Sequence, residues 1–154
     1  MKTLVCLLLA LFSLNATAGS PAVYEKRVKV DLDGAYVSVS KALEDSNFFV
    51  VFEVDIGKNI AGFAKKWGED YNRNKLEGIK SMVICSGWYV NQISNADPSM
   101  LALCPLHVTL THKAGMTSIL FIKPGVVARG SPAEKIAQEI ENKMVKAIES
   151  AFSE

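Results

Sequence analysis

Two hydrophobic periods alternate along this chain. From Tyr24 to Val30, Tyr24, Lys26, Val28 and Val30 share one side while Glu25, Arg27 and Lys29 share the other, which predicts a half-exposed strand. From Ala35 to Ser46 the apolar positions Ala35, Val39, Ala42 and Leu43 fall at helical spacing. Asp31 or Asp33 suits the cap of that helix, and Asn47 suits a left-handed terminus. Phe48 to Ile56 is dense in Phe and Val and predicts a buried strand. Ile60, Phe63, Ala64 and Trp67 share one face of a short helix starting near Asn59 and stopped by Gly68, and Glu69 to Lys75 predicts a loop or a mobile helix end.

A third strand is expected from Lys80 to Cys85, closed by Ser86-Gly87, with helix from Asn91 to Asn95 and a turn at Asp97-Pro98. His107 to His112 and Met116 to Ile122 flank Lys113-Ala114-Gly115, the pattern of a hairpin whose glycine takes positive φ. The last element carries the fullest set of signals. Ser131 is a good N-cap, Pro132 suits the first helical position and Glu134 completes a capping box, while Ile136, Ile140, Met144, Ala147, Ile148 and Ala151 form an apolar stripe. This order predicts a single α+β domain with a mostly antiparallel sheet packed against helices.

The N-terminus follows a different logic. Of the residues Met1 to Ala18, 13 are apolar, and Lys2 precedes an uncharged run from Leu4 to Leu14 that ends near Ala16-Thr17-Ala18. That is the plan of a secretory signal peptide over residues 1–18 with cleavage after Ala18, and the run is too short to span a bilayer. The expected mature domain, residues 19–154, begins at Gly19. No cysteine stands there for lipid attachment, and the expected location is periplasmic or secreted. The whole chain holds 17 basic and 16 acidic residues. Losing Lys2 balances them, which leaves no overall electrostatic footprint for nucleic acid or an anionic membrane, and no membrane span is expected after signal removal.

Candidate chemistry is sparse. An even pair of cysteines remains after export, Cys85 and Cys104, and in an oxidising compartment such a pair reads as a disulfide; closing a loop of about 20 residues contributes roughly 3 kcal/mol. The pair also reads as two small buried hydrophobes, as reactive thiols, or with His107 as a metal set. His107 and His112 are five apart on a strand and point to opposite faces, so one metal cannot take both. No zinc, haem, thioredoxin-like, phosphate-loop or nucleophile-elbow spacing occurs, no catalytic residue stands out, and no cofactor is implied. Aromatic and amide side chains concentrate at Trp67, Tyr71 and Asn72 and again at Trp88, Tyr89 and Asn91, which suits a ligand cleft or an interface. Trp67 and Trp88 suit core anchors equally well.

Several short motifs occur in a set order: Ile84-Cys85-Ser86-Gly87, Asn95-Ala96-Asp97-Pro98, Leu103-Cys104-Pro105-Leu106-His107-Val108, and after the hairpin Ile122-Lys123-Pro124. Over Tyr24 to Phe152 the chain thereby resembles the DUF302 family, with Ser86-Gly87 where many members carry Asn-Pro. The resemblance implies a fold similar to that of the TATA-box-binding protein, a curved antiparallel sheet against helices, and often a homodimer. It implies no reaction, and a shared fold does not carry DNA binding with it. The expected function is a non-enzymatic binding module of the bacterial cell envelope, recognising a small molecule or an envelope protein. The alternative is a thiol redox or metal-binding protein using Cys85 and Cys104.

Overall fold

A computed structural model describes residues 20–153, so the expected signal peptide lies outside the described residues. The chain opens with strand β1 (Val23–Val28) and turns at Asp31, whose carboxylate accepts from the Gly34 N–H at 2.9 Å and caps helix α1 (Leu32–Asp45). That helix ends as its sequence predicts. Asn47 sits at φ 63, and the Asn47 and Phe48 N–H groups donate to the Glu44 and Leu43 carbonyls at 2.9 Å each. This pairing satisfies the orphan carbonyls of the last turn and drives Phe48 into the core. Strand β2 (Phe49–Asp55) follows, then two short helices, α2 (Ile56–Ala61) and α3 (Ala64–Trp67), where one helix was expected. Gly62 and Phe63 separate them, and Gly68, at φ 54, stops the second.

Strand β3 (Gly78–Cys85) leads into helix α4 (Gly87–Ala96), which starts four residues earlier than its polar sequence predicts because Ser86-Gly87 opens the helix as well as closing the strand. A 3-10 turn over Pro98–Leu103 is capped by Asp97, whose side chain accepts from the Ser99 N–H. Strands β4 (Leu106–Lys113) and β5 (Met116–Ile122) form the expected hairpin around Ala114 and Gly115, both at positive φ. Helix α5 (Pro124–Val127) and the long helix α6 (Glu134–Ser150) complete the chain. The capping box before α6 is only half formed: Ser131 accepts from the Ala133 N–H, but Glu134 reaches back to the N–H of Gly130.

The strands form one antiparallel sheet in the order β1-β5-β4-β3-β2. Register fixes its two faces. Val28, Thr117, Ile119, Phe121, Val108, Leu110, Met82 and Ile84 point to one side and are buried there with Val39 and Leu43 of α1, Ile93 of α4, and Ile140, Met144 and Ile148 of α6. Full burial contributes about 1.5–3 kcal/mol for each such side chain, so this face against α1 and α6 holds the domain together. The opposite face carries Val23, Ile122, His107, Val83 and Phe49 and is covered by no described element. β2 corrects the expectation of a buried strand. It is the sheet edge, its register slips between Val50 and Phe52, and Phe49, Val51 and Phe52 are all exposed. No described helix is long and apolar enough to cross a membrane.

Candidate functional site

Because every neighbouring pair is antiparallel and β1 and β2 lie four places apart, both strands end at the same end of the sheet. The start of α1, the start of α2, the beginning of β3 and the end of β4 therefore converge there, and they enclose an open cleft of about 530 Å³. Each wall is set by a local device. Asp55 caps α2 by accepting from the Lys58 N–H at 2.9 Å. Gly57 lets that helix approach β3, where a Cβ would meet the Ile79 nitrogen at 3.1 Å. The loop after α3 is closed by Asn72, at φ 44, whose amide donates to the Leu76 carbonyl at 2.8 Å and accepts from the Leu76 N–H at 2.9 Å.

The cleft is rich in paired charge. Lys80 reaches Asp33 at 2.5 Å and Lys58 reaches Asp55 at 3.3 Å. The Gly34 N–H holds the Asp31 carboxyl below its ordinary value, the Lys58 N–H does the same for Asp55, and the Asp33 carboxylate raises Lys80. Beside Lys80, the buried Tyr36 hydroxyl has Glu53 nearby but no partner at full hydrogen-bond geometry among the described residues. Burial first, and the Glu53 carboxylate second, keep its proton on.

His112 is the most constrained group in the cleft. Its Nδ1 lies 2.8 Å from the Thr117 hydroxyl, and that hydroxyl donates to the Val30 carbonyl at 2.7 Å. A carbonyl only accepts, so the single Thr117 proton is committed to it and His112 Nδ1 must be the donor in the other bond. Nε2 is therefore the nitrogen left to the cleft, 3.7 Å from Glu77. Glu77 is held in turn by the Ala114 N–H at 3.1 Å.

The aromatic and amide residues expected to form one site are divided. Tyr71 and Asn72 line the cleft, and Trp67 stands beside them, its ring 6.5 Å from that of Tyr71. Trp88, Tyr89 and Asn91 lie beyond the far end of β3, about 24 Å away along its eight residues at roughly 3.4 Å each. Trp88 and Asn91 are exposed on α4. Tyr89 is a core residue: it is buried, stacks on Phe48 at 5.7 Å and donates to Glu139 at 2.6 Å. Asn72 serves its own loop. In sequence Tyr71, Asn72 and His112 of the cleft stood out, and Asp31 or Asp33 as a helix cap; their convergence with Asp55 and Glu77 becomes visible only from the strand order.

The cysteines lie at that far end. Cys85 closes β3, Cys104 precedes β4 through a cis peptide to Pro105, and both line one small hollow with Phe48, Tyr89 and Ile140. Both are free thiols, where a disulfide was one of the expected states. Burial first, and the neighbouring Cys85 second, push the Cys104 thiol up. His107 faces the bare side of the sheet opposite Val83, while His112 faces the helices, so the two histidines divide as their spacing predicts. Among the described residues no three His, Cys, Asp or Glu side chains gather as a metal set, and Cys85, Cys104 and His107 are not assembled into one.

Residues 24–151 match the family model described as domain of unknown function DUF302. The chain belongs to the DUF302 family. The crystal structure of an uncharacterized conserved DUF302 protein from Bacillus stearothermophilus superposes with a TM-score of 0.73 at 16% identity, covering 86% of this chain and 99% of that one. At that identity the likeness concerns the fold, and it agrees with the α+β architecture. No curated protein matches the chain. The family therefore supplies an architecture and leaves the chemistry to the residues of this DUF302 domain.

Proposed function

We propose that this DUF302 domain is a non-enzymatic binding module, exported to the cell envelope by its first 18 residues, and that it binds a small polar molecule in the cleft at the β3 start. One observation carries this reading. Two capped helix starts, the Tyr71 loop and the tautomer-fixed His112 surround an open 530 Å³ space. Asp31, Asp33, Asp55 and Glu77 outnumber Lys58 and Lys80 there, which favours a ligand bearing a cationic group, with the Tyr71 ring available to its apolar part. Native mass spectrometry of the purified protein, followed by thermal-shift measurements with a panel of amines and amino acids, tests it. Stabilisation by a cationic member that disappears in Asp33→Ala and Tyr71→Ala supports the reading. No stabilisation by any member, or equal stabilisation of both variants, removes it. Self-association across the bare sheet face fits the same picture, since Phe49, Phe52 and Ile122 leave apolar area that a second copy would cover.

A second reading rests on the cysteines, which share one hollow. An external disulfide would take two electrons from Cys85 and Cys104, whose two protons leave as their sulfurs join, and would itself be reduced to two thiols. Thiol titration before and after exposure to oxidised glutathione reads this directly. Two thiols falling to none, with recovery on reduction, supports it; two thiols throughout, or loss through glutathione adducts alone, excludes it.

A further inference from the structure

Helix α4 begins without a cap. The carboxylates of Asp31 and Asp55 close the starts of α1 and α2, but Ser86, the N-cap of α4, makes no side-chain bond to its helix. The first N–H groups of a helix have no partner within it, so α4 presents unpaired donors and the positive end of its dipole. The residue immediately before Ser86 is Cys85. Cys85 and Cys104 together line one hollow of about 10 Å³, whose walls include Phe48, Ile84, Leu106 and Ile140. The two thiols are close enough for Cys85 to act on the Cys104 proton. Such a hollow has room for one atom-sized guest, and a water there would need about two to four polar partners that apolar walls do not supply.

We infer that Cys85 and Cys104 bind one Cu(I) ion in this hollow through their two sulfurs. Thiolates are soft donors and select Cu(I), zinc or iron–sulfur clusters. Zinc and the clusters take four protein ligands, and among the described residues no three His, Cys, Asp or Glu side chains gather. Cu(I) is satisfied by two sulfurs in line, so of the three it alone suits a site of this composition. Binding releases the two thiol protons, transfers no electron and leaves the unit with one negative charge. Lys143, 5.4 Å from the Tyr89 ring, is offset by Glu139, which accepts from the Tyr89 hydroxyl. The uncapped start of α4 beside Cys85 is therefore what compensates that charge. The inference shares the cysteine pair of the second reading but needs no disulfide between them.

Competition for Cu(I) against bicinchoninate, under nitrogen and on the purified chain after reduction, tests it. Two titratable thiols and uptake of one Cu(I) per chain are expected, with neither thiol titratable once the ion is bound. X-ray absorption should show two sulfur neighbours and no nitrogen. Cys85→Ser and Cys104→Ser should each weaken uptake by more than about 100-fold, the upper end of what losing a mere supporting group costs, whereas His107→Ala should leave it unchanged. Cu(I) should also raise the thermal midpoint of the parent and of neither serine variant. The parent is read directly by uptake and by its sulfur neighbours, so the result does not depend on the variants folding. No copper withdrawn from bicinchoninate, half an ion per chain, a nitrogen neighbour, or uptake unchanged in both serine variants would overturn the inference. A pair that oxidises with glutathione but takes no copper keeps the disulfide reading and overturns this one; a pair that takes copper but never oxidises does the reverse.

Discussion

Replacing Thr117 by valine isolates the bond that fixes His112. Thr117 is 0% exposed, and valine has nearly its shape, so the change opens no cavity. What it removes is the hydroxyl that accepts from His112 Nδ1 at 2.8 Å and donates to the Val30 carbonyl at 2.7 Å. Each lost bond is worth about 1 kcal/mol, and leaving a buried carbonyl unpaired costs about 1–3 kcal/mol. The His112 ring keeps some access to water, its side chain being 15% exposed, so its share is at the low end. The expected loss is about 2 kcal/mol, or roughly 7 °C in Tm for a domain of this size. Urea denaturation measures it, with Thr117→Ser as the control that keeps the hydroxyl and should restore most of the loss. Imidazole 15N shifts give an independent readout, because the parent should show the Nδ1–H tautomer and the valine variant should not favour it. A loss below about 0.5 kcal/mol, or an Nε2–H tautomer in the parent, would refute the assignment of His112 Nε2 to the cleft.

Other consequences can be checked separately. Arg27 holds Glu25, the Gly34 N–H holds Asp31, the Lys58 N–H holds Asp55, the Ser131 hydroxyl holds Asp97 and Lys26 holds Glu149 below their ordinary values. Depressed folded values stabilise the fold above the unfolded range of 3.8 to 4.5 and lose that contribution as pH falls through the folded values. The urea midpoint should thus be level near neutrality and drop once the pH passes below 4.5; a midpoint unchanged at pH below 3.8 contradicts this. At the alkaline end Tyr89 is pushed up to about 12, by burial first and by Glu139 second, so its stabilisation is complete below 10.0 and is lost as pH rises from there through about 12; ultraviolet titration of a Tyr89→Phe variant should lack this late step. Ala114 holds φ 50 in the β4–β5 turn, a conformation asparagine tolerates better, so Ala114→Asn should raise stability by roughly 0.5–1 kcal/mol in the same urea assay, and a neutral or lower value argues against strain there. Phe52→Lys places charge on the exposed edge strand, and if copies associate through the bare face, light scattering should show a dimer become a monomer with little change in Tm.

Local signals in the sequence translated well into structure where one residue type has one use. Asn47 ends α1, Gly115 turns the hairpin, and Ile140, Met144 and Ile148 face the core of α6 as their spacing requires. The errors share a physical origin. Phe49 and Phe52 are apolar and β-prone, which is enough to make a strand but does not say whether that strand is central or at the edge. Edge position follows from the pairing order, and pairing order is a property of the whole sheet. Tyr89 misled in the opposite direction: an aromatic with a polar tip among glycines and amides resembles a recognition residue, and only the Glu139 carboxylate, fifty residues away, shows that its hydroxyl is satisfied inside.

The cleft was illegible for a related reason. Asp31 and Asp55 are each fully accounted for as helix caps, and a cap read alone points to nothing beyond its own helix. Their functional meaning comes from β1 and β2 running the same way four positions apart, which brings two capped helix starts to one end of the sheet, and from β4 ending there with His112. The sequence shows that His112 and His107 point to opposite faces, but it cannot show that Thr117, directly across the β4–β5 pair from His112, spends its only proton on Val30. That third partner, contributed by the chain just before α1, decides which imidazole nitrogen is offered to the cleft. The site is thus assembled from groups whose local roles are structural, and its chemistry arises from the residual valences those roles leave unused.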